Sequence, residues 1–248
     1  MPGPVPRSGG RSGPDRLARA HVFVASLDRP VLDAGDRHHL DRVLRLRPGE
    51  IVTVGDGAGG WRRCHFGPVL EPVDEPVRAP RPSPEITVAF VPVKGDRPEW
   101  AVQKLTELGV DRIVAFAAAR SVVRWDAEKA TKSVERLRRV AREASMQSRR
   151  AWLPEVEAWT TFAEVARRPG AVLAHPDGAT PWLAAGPVLI GPEGGWAPDE
   201  EEGPLPRMAL GSQVLRSETA AVAAAALLGA LRAGSLVAAP PPGQDRAG

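Results

Sequence analysis

The chain is 248 residues long, 43% hydrophobic and 25% charged, with a formal net charge of +3. That length holds one large domain or two small ones with real cores, and the balance is ordinary for a globular protein. No apolar run approaches the roughly 18 residues of a membrane span. The first nineteen residues lack the apolar centre of a secretory signal, so a cytoplasmic location is expected. The single cysteine, Cys64, excludes an internal disulfide and any cysteine-cluster metal site.

In chain order, residues 1–19 and 237–248 are rich in proline and glycine and read as disordered tails. Short β-branched runs at 21–24, 51–54 and 61–66, separated by turn signals, predict a small β-barrel domain over residues 20–80. The stretch Gly55-Asp56-Gly57-Ala58-Gly59-Gly60 matches the dinucleotide spacing G-x-G-x-x-G. A strand follows it where that fingerprint must open a helix, so a hairpin turn is expected instead. Residues 76–84 carry four prolines and mark a linker.

From Glu85 the pattern changes. Residues 86–93 form a nearly continuous apolar strand, the mark of a sheet covered on both faces. A helix should follow, capped by Asp96 with Glu99 completing a capping box. Its buried stripe is Ala101, Val102, Leu105 and Leu108, and Gly109 ends it. Residues 112–117 are the next strand. A long helix over 127–148 has an apolar stripe at Val134, Leu137, Ala141 and Ala144, with Arg136, Arg138, Arg139 and Arg142 mostly off it. Strands recur at 171–174, 188–190 and 208–210, before an alanine-rich helix over 218–233. This alternation predicts an α/β domain with a largely parallel sheet over residues 84–236. Within 120–150 there are 10 basic residues against 4 acidic ones, whereas 171–248 holds 4 against 8. A basic block inside a folded domain is either a nucleic-acid footprint or a solvated helix face.

The C-terminal third carries the motifs. Leu189-Ile190-Gly191-Pro192-Glu193-Gly194-Gly195 leaves a strand and turns sharply, and its paired glycines let backbone pass close to a flat ligand. Pro198 and the acidic residues 199–202 open a short helix. Leu210-Gly211-Ser212-Gln213-Val214-Leu215-Arg216-Ser217-Glu218-Thr219 then leaves another strand and enters the alanine-rich helix. Irregular loops at the carboxyl ends of strands are where an α/β sheet binds its ligand, although two ordinary strand-to-helix connections would read alike. The five histidines (His21, His38, His39, His65, His175) have no metal-ligand spacing, so no metal is expected. None of the four lysines follows a phosphate-binding glycine loop.

Over residues 21–231 the sequence resembles the RsmE family of 16S rRNA (uracil-N3)-methyltransferases, within the SPOUT superfamily. The paired segments 189–195 and 210–219 carry the resemblance. Further matches are Lys94-Gly95-Asp96, Gln103-Lys104 with Glu107-Leu108-Gly109, Arg120-Ser121, and His39 with Val43-Leu44-Arg45. Two positions depart: His21 stands where the family often has Arg, and Met146 stands where it often has Glu.

The resemblance implies a trefoil-knotted α/β methyltransferase domain, an exception to the rule against knots, preceded by a PUA-like barrel. It implies S-adenosyl-L-methionine as cofactor, held by Leu189, Ile190, Gly191, Glu193, Gly194, Gly195, Leu210, Gly211, Val214, Leu215, Arg216 and Thr219. The reaction would be methylation of N3 of a uridine in 16S rRNA, at the position the family's name gives as uridine 1498. Arg216 (or Arg149 and Arg150 reaching across a dimer) would stabilise the developing uracil anion, and Glu218 (or Glu193) would take the proton. Arg216 and Glu218 are explained equally by an ion pair at a helix start. His39, Arg42, Arg45, Arg120, Arg139, Arg142, Gln147, Arg149 and Arg150 would contact the small-subunit rRNA. A homodimer is implied, with the partner completing each site and no membrane or metal involved. The alternatives are a SPOUT enzyme acting on a ribose 2′-oxygen of rRNA or tRNA, and a non-catalytic rRNA-binding assembly factor.

Overall fold

The computed structural model describes residues 13–15 and 17–237. Of the expected tails, residues 1–12, 16 and 238–248 lie outside the described residues. The chain divides into two compact units: Met1–Arg81 with Ser145–Leu153, and Pro82–Ala144 with Pro154–Gly248.

The first unit contains β1 (Ala20–Phe23), α1 (Ala34–His38) running into a π-helical turn at His39–Val43, β2 (Ile51–Gly55), β3 (Gly60–His65), β4 (Glu71–Pro72) and β5 (Val77–Arg78). Strand β1 runs parallel to β2, β2 antiparallel to β3, and β3 pairs with both β4 and β5. The glycine run between β2 and β3 is a hairpin turn. Asp56 N donates to Gly60 O, and the Asp56 carboxylate accepts from the Ala58 and Gly60 amides. Alternate residues Val22, Val52, Val54, Cys64 and Phe66 meet Leu40 in one apolar core.

Segment Ser145–Leu153, far away in sequence, is part of this unit. Met146 packs against its core. Arg149 adopts the left-handed region at φ 57°, which costs a non-glycine residue energy. Its guanidinium offsets that by donating to the carbonyls of Asp15 at 2.7 Å and Ala18 at 2.5 Å. Trp152 donates to the Ala79 and Pro80 carbonyls, and the guanidinium carbons of Arg78 and Arg81 lie 5.6 and 5.7 Å from its ring centre.

His21 is buried at the centre of this arrangement. Its Nδ1 meets the Thr53 hydroxyl at 2.9 Å, and Nε2 donates to the Arg150 carbonyl at 3.1 Å. Burial drives its pKa down to about 4; the Arg150 bond opposes this and the Arg149 charge adds to it. Between pH 6.5 and about 4 the unfolded chain therefore binds a proton that the native chain does not. Stability falls as pH drops through that window, by about 3 kcal/mol at its acid end. Urea titrations from pH 7 to 4 should show this acid slope flattened in His21→Gln. An unchanged slope would remove His21 as its source.

The second unit is a sheet covered on both faces. Its elements are β6 (Thr87–Phe90), α2 (Arg97–Glu107), β7 (Arg112–Ala117), α3 (Ala127–Gln147, whose last turn belongs to the first unit), β8 (Glu155–Val156), β9 (Thr160–Thr161), α4 (Phe162–Ala166), β10 (Val172–Ala179), β11 (Val188–Ile190), α5 (Pro198–Glu201), β12 (Arg207–Met208) and α6 (Ser217–Arg232). The strand order is β12-β10-β11-β6-β7-β8, with β9 also on β7, and every pairing is parallel. Because side chains alternate along a strand, Val88, Phe90, Ile113, Ala115, Val188 and Ile190 join one core. Ala89, Val91, Val114, Phe116, Leu173 and Leu189 join the other. Each such fully buried Leu, Ile or Phe contributes about 1.5–3 kcal/mol of transfer free energy.

Helices α2, α3 and α6 fill the first core. Ala221, Ala224, Ala225 and Leu228 are the buried stripe of α6, and Val134, Leu137 and Ala141 that of α3. Two details of α2 differ from expectation. Asp96 makes no side-chain capping bond, and Glu99 is taken instead by an ion pair with Arg136 of α3. Leu108 is exposed, because the helix has already ended there; Thr106 is buried in its place, its hydroxyl donating to Val102 O. At the far end, Arg232 pairs with Asp111 and donates to Gly109 O, while Asp111 accepts from Ile86 N. The end of α6 is thereby tied to the starts of β6 and β7.

Candidate active site

Strand order locates the site. The chain leaves β6 towards β7 on one side, and leaves β11 towards β12 past β10 on the other. Connections diverging from adjacent parallel strands open a crevice beyond their carboxyl ends. Both motif-bearing loops lie at this end of the sheet.

The three glycines after β11 serve different needs. A Cβ on Gly191 would lie 2.8 Å from the Trp196 ring, which stacks in the core against Phe116, so close packing requires glycine here. Gly195 has φ +73° and its amide closes a turn onto Pro192 O, so the backbone conformation requires glycine there. Gly194 meets neither demand. Its φ is ordinary and an added Cβ would find nothing nearer than Arg120 at 3.9 Å. Only something outside the described residues would press on that position. Leu189 and Ile190 are buried in opposite cores, so they offer the crevice backbone alone.

The second loop lies open. Gly211 and Val214 are exposed, Leu215 is half-buried, and Leu210 packs against the first core. Arg216 is the N-cap residue of α6 and is exposed, as is Thr219. Ser217 is buried and its hydroxyl donates to Val91 O, which pins the helix start to the end of β6. Glu218 follows, with a side chain only 12% exposed. Its Oε1 lies 3.3 Å from Arg97 Nη1, and its buried Oε2 has no hydrogen-bond partner among the described residues.

Arg97 is the residue the motifs did not single out. The same Nη1 lies 3.5 Å from Glu193 Oε1, so one guanidinium joins the glycine loop to the start of α6. Its only sequence signal is its place, directly after Lys94-Gly95-Asp96 at the start of a helix. Glu200 was also missed. It is buried, with Oε1 accepting from Ala119 N and Oε2 from Ala197 N, and so ties the loop after β7 to α5. A third loop reaches the same edge. Strand β10 slips register between Ala174 and Ala179, and the intervening His175 bonds Glu201 at 3.0 Å.

The expected RNA-contacting residues fall into two groups. His39, Arg42 and Arg45 are exposed around the helical turn of the first unit, and Gln147 is exposed at the end of α3. Arg139 is exposed and Arg142 half-buried on α3 in the second unit. Others are engaged structurally. Arg149 holds backbone carbonyls, Arg150 Nε donates to Trp152 O, and Arg120 Nη1 donates to Gly194 O at 3.2 Å.

The chain is similar to known proteins in sequence and in fold. A model described as an RNA methyltransferase domain matches residues 80–229, and one described as an RNA methyltransferase PUA domain matches 32–66. The chain is 34% identical over 225 residues to ribosomal RNA small subunit methyltransferase E of Mycobacterium bovis, covering 81% of this chain and 86% of that protein. To the Bacillus subtilis protein of the same name it is 30% identical over 211 residues, covering 74% and 82%. Among solved structures, a Legionella pneumophila methyltransferase in complex with the cofactor SAM superposes with a TM-score of 0.74 at 26% identity, over 85% of this chain and 96% of that one. The Neisseria gonorrhoeae ribosomal RNA small subunit methyltransferase E bound to S-adenosyl methionine gives 0.72 at 26% identity, over 86% and 97%. No helix among the described residues is long and apolar enough to cross a membrane. On the span of the matching model and the identity over four-fifths of its length, the chain belongs to the ribosomal RNA small subunit methyltransferase E family.

Proposed function

We propose that the chain methylates N3 of a uridine in 16S rRNA of the small ribosomal subunit, using S-adenosyl-L-methionine. The observation that carries this reading is the meeting of the two motif loops beside Glu218, whose buried Oε2 has no donor among the described residues. The cofactor fits the same place: the open cradle at Gly194 and the exposed backbone at 193–195 and 211–214 suit a flat adenine and its ribose. When bound, S-adenosyl-L-methionine supplies a methyl carbon made electrophilic by its sulfonium.

The protein's part is to bring the acceptor nitrogen to about 3 Å from that carbon, in line, and to remove its proton. Glu218 Oε2 accepts the N3 proton, and the exposed Arg216 stabilises the negative charge that develops on the uracil. Backbone of Leu189–Gly195 and Leu210–Leu215 holds the cofactor, with Thr219 at the edge. His39, Arg42 and Arg45 of the first unit and Arg139 and Arg142 of the second contact RNA phosphates. Family membership supports the finer architecture as well: a closed PUA-like barrel, a trefoil-knotted second domain, and a cytoplasmic homodimer.

The test is transfer from labelled cofactor to small subunits lacking the modification, followed by mass analysis of the nucleosides. The expected product is N3-methyluridine at one position, formed better on assembled subunits than on naked rRNA because the recognised shape is built from distant strands. Label on a ribose oxygen would move the chain to another specificity. Tight cofactor binding without transfer to any ribosomal RNA would leave a non-catalytic factor.

A further inference from the structure

We propose that Arg97 is a positioning residue for the methyl transfer, acting by fixing which oxygen of Glu218 is presented to the acceptor base. The inference rests on Glu218 as proton acceptor and adds the residue that aims it. Arg97 is the first residue of α2 as the chain leaves β6, and Glu193 stands in the loop leaving β11. They meet over the β11–β6 seam, where the chain connections diverge and a ligand crevice opens. From there one nitrogen of Arg97 reaches Oε1 of both Glu193 and Glu218. The backbone of α6 is fixed independently by the Ser217 bond to Val91 O. Of the two oxygens of Glu218, one is therefore held by a cation and the other is buried without a donor among the described residues. A carboxylate held in this way has one orientation in which to accept a proton. Without the guanidinium, either oxygen can turn inward and the side chain can leave the crevice.

The Arg97–Glu193 contact, between side chains 43% and 49% exposed, contributes little to folding; the Glu218 end, 12% exposed, is where the guanidinium has its effect. Lysine could set one nitrogen between the same two oxygens, as Nη1 does, but on a flexible stem without the fixed plane of the guanidinium, so it should restore the geometry only in part.

The experiment combines Arg97→Ala, Arg97→Lys, Glu218→Gln and the double variant Arg97→Ala/Glu218→Gln. Each is measured for transfer to unmodified small subunits and for cofactor affinity by calorimetry. Arg97→Ala should lower kcat on the order of 10²-fold, the usual consequence of a misplaced reacting group. Cofactor Kd should change by less than about threefold, since backbone groups make that site. Arg97→Lys should recover part of the loss. The double variant should turn over no more slowly than Glu218→Gln alone, because a residue acting only through Glu218 has nothing further to remove. Losses that multiply in the double variant, a defect confined to KM or cofactor Kd, or unchanged turnover in Arg97→Ala would overturn the proposal. Full turnover in Glu218→Gln would remove the underlying reading of Glu218, an outcome visible in that single variant whatever Arg97 does.

Discussion

Replacing Glu218 by Gln is expected to lower kcat by about 10²–10⁴-fold, the range for loss of a positioned general base. The substitution keeps size and one acceptor but removes the charge that makes the side chain a base. Oε2 is buried and has no hydrogen-bond donor among the described residues, so that oxygen is left to accept a proton from substrate. Gln in its place should leave the fold intact, because Ser217 anchors the helix start through its own bond to Val91 O. Cofactor affinity should change far less than kcat, the signature of an interaction made in the transition state. A parallel fall in cofactor affinity and turnover would instead make Glu218 part of the cofactor pocket. Equal turnover would place the proton acceptor elsewhere, with the solvent-exposed Glu193 next in line.

The other large effect is Gly194→Val, which should weaken cofactor binding at least 10²-fold, or about 3 kcal/mol. What makes the variant informative is that a Cβ at this position meets no clash in the protein itself. The φ at Gly194 is ordinary and its Cβ direction is clear to 3.9 Å, so thermal stability should shift little. Neighbouring glycines lack this property. A side chain at Gly195 is penalised by φ +73°, and one at Gly191 by the Trp196 ring 2.8 Å away, so either variant confounds binding with folding. Calorimetry with S-adenosyl-L-methionine and with its demethylated product reads the result. Native-like affinity in a folded Gly194→Val protein would remove this loop from the cofactor site.

Much of the molecule follows from local pattern. The strands at Arg112–Ala117 and Val188–Ile190 lie where unbroken apolar runs put them, and the buried stripe of α3 is the one its 3.6-residue period marks. The hairpin at residues 55–60 followed from a strand standing where a helix would have been needed. The two motif loops were legible because glycine and proline interrupt apolar runs at defined places. These are properties of near neighbours in the chain, and the amino-acid sequence by itself determined them.

What the sequence left open depends on residues that only folding brings together. Glu99 is well placed to cap its own helix, yet it pairs with Arg136, because α3 packs alongside and a guanidinium is a stronger partner than a backbone amide. Segment Ser145–Leu153 continues a helix of the second unit, but the Trp152 bonds and the Arg149 contacts to Asp15 and Ala18 hold it in the first. Met146 faces an apolar core that periodicity within α3 did not disclose. Above all, nothing local connects Arg97 with Glu193 and Glu218. Their ion pairs exist because β6 and β11 are neighbours in the sheet while about a hundred residues apart in the chain. Periodicity reports which face of an element is apolar; strand order decides which charged residues share a crevice.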